Sequence, residues 1–169
     1  MILIDTREKQ PYQFIQTNID TQVDTLPIGD YSIMGFTDRV AVERKSLDDL
    51  VGCLMGKSRD RFERELQKGR FLELFVVVVE ASMYDIRSGA YRSNMKPHAV
   101  LQSIIAFQIR YGTSFMFCGG REGGEYITFS LLQKYLYEIE KRYQQALGKI
   151  GRESRRLESP CILHGGRNL

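Results

Sequence analysis

Apolar and polar positions along the chain alternate in runs that predict a mixed set of strands and helices. Ile2-Leu-Ile-Asp5 is a short apolar run closed by an acid, which predicts a buried N-terminal strand. Residues 11–27 are polar and irregular, with Pro11 and Pro27 as breakers. Asp30-Tyr-Ser-Ile-Met34 and Arg39-Val-Ala-Val-Glu43 both alternate around Gly35-Phe-Thr-Asp38, and predict a β-hairpin. Ser46 has the character of a helix N-cap, with Asp49 at the third helical position. That predicts a helix through about Met55, closed by Gly56. A second helix follows over Ser58 to Gln67, its apolar contact made by Phe62 and Leu66.

The second half of the chain repeats the mixture. Phe71 to Glu80 is a β-branched run with little alternation, which predicts a strand covered on both faces. Pro97 opens a helix with Leu101, Ile104, Ile105 and Ile109 at helical spacing, and Gly112 ends it. Ser114-Phe-Met-Phe-Cys118 reads as a strand and Gly119 to Gly124 as a loop. A final helix is expected from Ser130 to Leu147, with Leu132, Leu136, Ile139 and Tyr143 on one stripe. The order implies an α/β class with a mixed sheet flanked by helices. One domain is expected to about residue 148, followed over 149–169 by a flexible tail without apolar periodicity.

Composition narrows the class. Apolar residues make up 43% and charged residues 27%, the balance of a soluble globular domain. The longest apolar run, Leu74 to Val79, falls far short of the roughly 18–20 residues needed to span a bilayer. The first residues have no basic leader, so secretion is not expected and a cytoplasmic or nuclear location is. Cys53, Cys118 and Cys161 lack metal-site spacing and fit a reducing compartment. Charge is unevenly spread beneath a net of +3: residues 141–169 hold seven basic and two acidic groups, leaving 17 basic and 19 acidic in residues 1–140. The basic tail, with Arg155 and Arg156, suits either a polyanionic partner or simple solubility.

The chemistry concentrates in the hairpin. Asp30 enters it as Glu43 leaves it, so their carboxylates can converge at one end. Two nearby carboxylates repel, and a divalent cation relieves them; ligation by oxygen alone suits Mg²⁺ or Mn²⁺. Lys45 shares a strand face with Glu43 and can orient or deprotonate a water, or stabilise charge on a phosphate. An ordinary surface Glu–Lys pair gives the same pattern. Downstream, six cations (Lys57, Arg59, Arg61, Arg64, Lys68, Arg70) face Asp60, Glu63 and Glu65. They suit a DNA backbone or a solvated helix with pairs such as Asp60–Arg64. Gly56-Lys57-Ser58 lacks the glycine spacing and preceding strand of a phosphate-binding loop, which argues against ATP there. Tyr84, Tyr91 and Arg92 are expected in a loop, with ordinary packing favoured over base stacking.

The surrounding residues are more specific. Asp5-Thr-Arg-Glu8, Gly29-Asp30-Tyr31, Val42-Glu-Arg-Lys-Ser46 and Asp49 closely resemble the XPF-type (ERCC4-domain) nuclease family. That family belongs to the PD-(D/E)XK superfamily, and the resemblance covers about residues 1–140. It implies a restriction-endonuclease-like mixed β-sheet flanked by helices on both faces. It also implies a structure-selective endonuclease cutting branched or flapped DNA with Mg²⁺ or Mn²⁺. By position, it makes Asp5, Asp30 and Glu43 the metal ligands and Lys45 the catalytic lysine. Arg7 and Glu8 would support the site, with Arg7 also near DNA, and Arg44 would hold it together or touch a phosphate. Asp49 would cap the helix, and Arg59 and Arg61 would contact DNA. Relatives commonly continue into a tandem helix-hairpin-helix domain; nothing after residue 148 has its length or apolar content, so the tail with Arg155 and Arg156 is expected to replace that grip. Nuclease domains of the family also pair, as homodimers or heterodimers. A catalytically weak DNA-binding or heterodimer scaffold of the same fold is the alternative.

Overall fold

The computed structural model describes residues 1–157, which divide into a unit spanning Met1–Gln133 and a second beginning at Lys134. In the first, six strands form one mixed sheet: β1 (Ile2–Asp5), β2 (Thr21–Asp24), β3 (Tyr31–Ile33), β4 (Val40–Ser46), β5 (Leu74–Glu80) and β6 (Ser114–Phe117). Their spatial order is β2-β1-β3-β4-β5-β6. β1 is parallel to β2 and antiparallel to β3, β3 is antiparallel to β4, and β4, β5 and β6 run parallel. The run at Val76 to Val79 is buried on both faces, as its lack of alternation predicts.

Helices cover both faces. On one lie α1 (Leu47–Gly52), α2 (Gly56–Gly69), α3 (Met83–Ser88) and α4 (Pro97–Tyr111). Leu50, Phe62, Leu66, Ile86, Val100, Ile104 and Phe107 from these helices form one cluster with Ala41, Phe75, Val77, Val79 and Phe115 of the sheet. Truncating one such side chain, for example Leu66→Ala, costs about 2–5 kcal/mol. On the other face Tyr12 stacks on Tyr31 at 5.0 Å, with Phe14 edge-on to both. The N-terminal part of α5 (Arg121–Leu157) closes over this cluster, and its Gly124 leaves no room for a Cβ beside the Tyr12 hydroxyl.

Several elements depart from the sequence expectation. β2 forms where irregular chain is expected, because its four exposed residues gain ladder bonds from the β1 edge rather than from burial. Gly56 opens α2 instead of closing α1, which ends at Gly52. β5 begins at Leu74, leaving Phe71 exposed. Tyr84 lies in a helix capped by Ser82 rather than in a loop, while Tyr91 and Arg92 follow that helix. The buried face of α4 is Val100, Ile104 and Phe107, so Ile105 and Ile109 lie exposed. α5 begins within the expected loop, because Gly123 and Gly124 are needed for close packing.

The same helix runs beyond Leu147 to Leu157, so the boundary expected near residue 148 falls inside it. In the second unit it carries exposed Tyr143, Leu147 and Ile150. The side chains of Arg155 and Arg156, and all of residues 158–169, lie outside the described residues. Among the described residues no helix is long and apolar enough to cross a membrane.

Candidate active site at the hairpin end

The site is built where Gly29 lets the chain press onto β4. Its φ is +73°, and an added Cβ would meet Ala41 Cβ and the Val42 carbonyl at 3.0 Å. This close approach lets the Asp30 amide donate to the Val42 carbonyl (2.9 Å), and the Arg44 amide donate to Asp30 Oδ2 (2.8 Å). The Asp30 carboxylate is thus pinned beside the outgoing end of β4. At the strand's end Ser46 caps α1, accepting from the Asp49 amide (3.2 Å) and donating to its carboxylate (2.6 Å).

Along β4 the side chains alternate. Glu43 is buried (4% exposed), and Lys45 donates to its Oε1 from a position over the Phe62 ring. Burial raises the Glu43 pKa; Lys45 opposes this, and a hydrogen-bonding approach by Glu65 of α2 reinforces it. Burial and the charge of Glu43 together push Asp30 up to about 7. Burial would lower Lys45, but Glu43 overrides it and holds the ammonium above its ordinary range. Lys45 therefore stays protonated at neutral pH, which suits charge stabilisation rather than proton abstraction.

Arg44 points the other way. Its guanidinium grips Glu80 with two bonds (2.8 and 2.7 Å), lies 3.4 Å from Glu8, and stacks 5.7 Å from the Tyr12 ring. Tyr12 also donates to Glu80 (2.9 Å), and the Arg121 guanidinium lies 5.1 Å from the Tyr12 ring. Despite burial, Glu80 is held below its ordinary pKa by Arg44 and Tyr12.

Asp5 is 1% exposed and takes four donors: the Arg7 amide, two Arg7 guanidinium N–H groups, and the Leu26 amide. Burial alone would raise its pKa, but these bonds hold it below the ordinary value. Arg7 keeps an exposed side chain and also donates to the Leu26 carbonyl. Asp30, Glu43 and Lys45 are therefore brought together, while Asp5 is committed to Arg7 and Leu26. Arg59 is half-buried, bonded to Glu63 (2.8 Å) and the Leu54 carbonyl, and stacked 4.8 Å from Phe107. Arg61 is exposed.

Two adjacent carboxylates held back from ionising by burial, with Glu43 further raising Asp30, fit a hard divalent cation, whose charge favours their ionised forms. Among the described residues no group of three His, Cys, Asp or Glu side chains is gathered as a metal site. Asp30 and Glu43 are the two expected ligands that lie together, whereas Asp5 is hydrogen-bonded to Arg7 and Leu26. Sequence reasoning missed Glu65, assigning it to a solvated face. Its position three after Phe62 and one before Leu66, both buried, is the signal that it borders the core.

The ERCC4 domain family model matches residues 4–129. A Methanocaldococcus jannaschii protein that carries the name of an ATP-dependent RNA helicase is 23% identical over 148 residues. The match takes in 88% of this chain but spans only 17% of that protein's length. Among solved structures, XPF from Aeropyrum pernix in complex with DNA aligns with a TM-score of 0.64 at 22% identity, covering 81% of this chain and 65% of that one. XPF from Aeropyrum pernix alone aligns with a TM-score of 0.62 at 19% identity, covering 88% and 71%. These structural likenesses are of fold: a mixed α/β sheet with the same kind of helical cover.

Proposed function

The chain belongs to the ERCC4 domain family, and we propose that it is a metal-dependent, structure-selective endonuclease that hydrolyses DNA near junctions of duplex and single strand. The observation that carries this reading is half-buried Asp30 beside buried Glu43 and the Lys45 ammonium. Asp30 and Glu43 would hold Mg²⁺ or Mn²⁺, with Asp5 bracing the site through Arg7. When bound, such an ion supplies a Lewis acid for the phosphodiester and lowers the pKa of a coordinated water. Lys45 fixes Glu43 and presents positive charge toward the phosphate as negative charge builds on it. Arg44 and Glu8 hold β4 in place from the opposite face, and Arg61 presents a cation to the backbone.

A partner domain belongs to the same proposal. Exposed Ile105 and Ile109 on α4 support pairing with a second nuclease domain, and sedimentation of the chain against Ile109→Glu tests it.

The activity test is a side-by-side panel of linear, flap, fork and junction DNA with Mg²⁺. The reading predicts cleavage of flap or fork substrates that EDTA abolishes and that Asp30→Ala and Lys45→Ala each lose. Undiminished cutting by both variants contradicts it.

A further inference from the structure

The cations of α2 are not equivalent. Arg59 is engaged by Glu63 and Phe107, whereas Lys57, Arg61, Arg64 and Lys68 are exposed and have no ion pair among the described residues. The expected Asp60–Arg64 pair is absent among them. At about 100° per residue, positions 57, 61, 64 and 68 fall within an arc of about 60°. They form one stripe about 16 Å long, the rise occupied by about five phosphates of one DNA strand.

The stripe does not stand on open surface. Arg61, Arg64 and Lys68 line a cavity of about 210 Å³ together with Arg7, Pro27 and Glu65. A second cavity, of about 360 Å³, is bordered by Lys45, Asp48, Asp49, Ser58, Arg61 and Glu65, and carries no cation excess of its own. Arg61 and Glu65 are shared, so the two cavities adjoin across them and reach the Lys45 side of the acid pair. Arg7 lies close enough to feel the charges of Glu65 and Asp30. In the first cavity Arg7 is balanced by Asp5, and the remaining three cations exceed the single acid Glu65 by two charges. A site of this charge and size, open to solvent and sharing Arg61 with the cavity that Lys45 borders, fits a phosphodiester rather than a neutral or cationic ligand.

We infer that Arg61, Arg64 and Lys68, with Arg7 at its rim, form a subsite for a backbone phosphate of the strand that passes Lys45. The subsite rests on the nuclease reading only in taking DNA as the polyanion. It adds Arg64 and Lys68 to the DNA surface and leaves Arg59 to packing.

The test is fluorescence anisotropy of a labelled fork duplex in EDTA across a salt series. Three chains are compared: the unaltered chain, R64A/K68A, and R87A/K96A, which removes equal charge from exposed positions outside both cavities. Matching melting curves establish that both variants fold. The subsite predicts weaker binding by R64A/K68A and a salt slope shallower by about 2, with R87A/K96A keeping the original slope. Equal slopes in R64A/K68A and the unaltered chain overturn it, as do equal losses in the two variants or no binding by the unaltered chain. Cleavage with Mg²⁺ is scored separately: expected slopes without cutting keep the subsite and refute the nuclease, and cutting with unchanged slopes does the reverse.

Discussion

Glu43, Arg44 and Lys45 are consecutive on β4, yet the two faces they enter have opposite electrostatics. On the Arg44 face every charge is answered: Glu80 takes two bonds from Arg44 and one from Tyr12, and its pKa falls despite burial. On the Glu43 face the balance is incomplete: Lys45 pairs with Glu43 while Glu65 opposes it, and beside them Asp30 rises to about 7. The Arg44 face has the character of a structural fastening. On the other, burial and neighbouring acids hold carboxyls back from ionising, a cost that a bound cation would relieve, as expected where function opposes stability. One strand serves both ends because its side chains alternate.

Breaking the fastened face carries the largest effect. Arg44→Ala leaves Glu80 and Glu8 buried without their cation and should cost about 3–5 kcal/mol of folding stability, read by urea denaturation. A loss below 1 kcal/mol would erase the contrast between the faces.

Relieving the strained face should act in the opposite direction. A carboxyl whose folded pKa is near 7 and whose unfolded value is 3.8 binds more protons folded than unfolded between those values. Stability of the metal-free chain therefore falls as pH rises from about 4 to 7. The shift of about three units is worth at most about 4 kcal/mol. Asp30→Asn, which keeps an acceptor for the Arg44 amide, should stabilise the metal-free chain at pH 8 and flatten this dependence. Denaturation midpoints at pH 5.5 and 8 in EDTA would show it; an equal fall with pH in both chains would place the strain elsewhere.

The smallest effect is expected at the junction that both faces share. Ser46→Ala removes the α1 cap and should cost about 1 kcal/mol, with DNA cleavage changed little if β4 keeps its register. A loss of activity far beyond the loss of stability would make the cap part of the site.

Much of this contrast was legible in the sequence where one residue type answers one local demand. Ser46 before Asp49, and Pro97 and Gly112 around α4, each occupy the place their chemistry predicts, whereas Gly29 was legible only as part of the family motif. β2 was not legible, because an exposed edge strand has no apolar period to read. The start of α5 was hidden because Gly123 and Gly124 serve packing against Cys118 and Tyr12, a demand that composition reads as a loop. On α4 a stripe one position out of phase picked Ile105 and Ile109 over Phe107. Glu65 and Glu80 were not assigned to the site because their partners, Glu43 and Arg44, are distant in sequence.

The central claim, that Asp30 and Glu43 form a strained pair completed by a divalent cation, is tested most directly by calorimetric titration of Mn²⁺ at pH 7. Two buffers of different ionisation enthalpy report the protons released. The account predicts saturable binding with net proton release, because Asp30 is partly protonated before the metal enters, and loss of both in Asp30→Asn. Binding without proton release, or binding unchanged in Asp30→Asn, would contradict it.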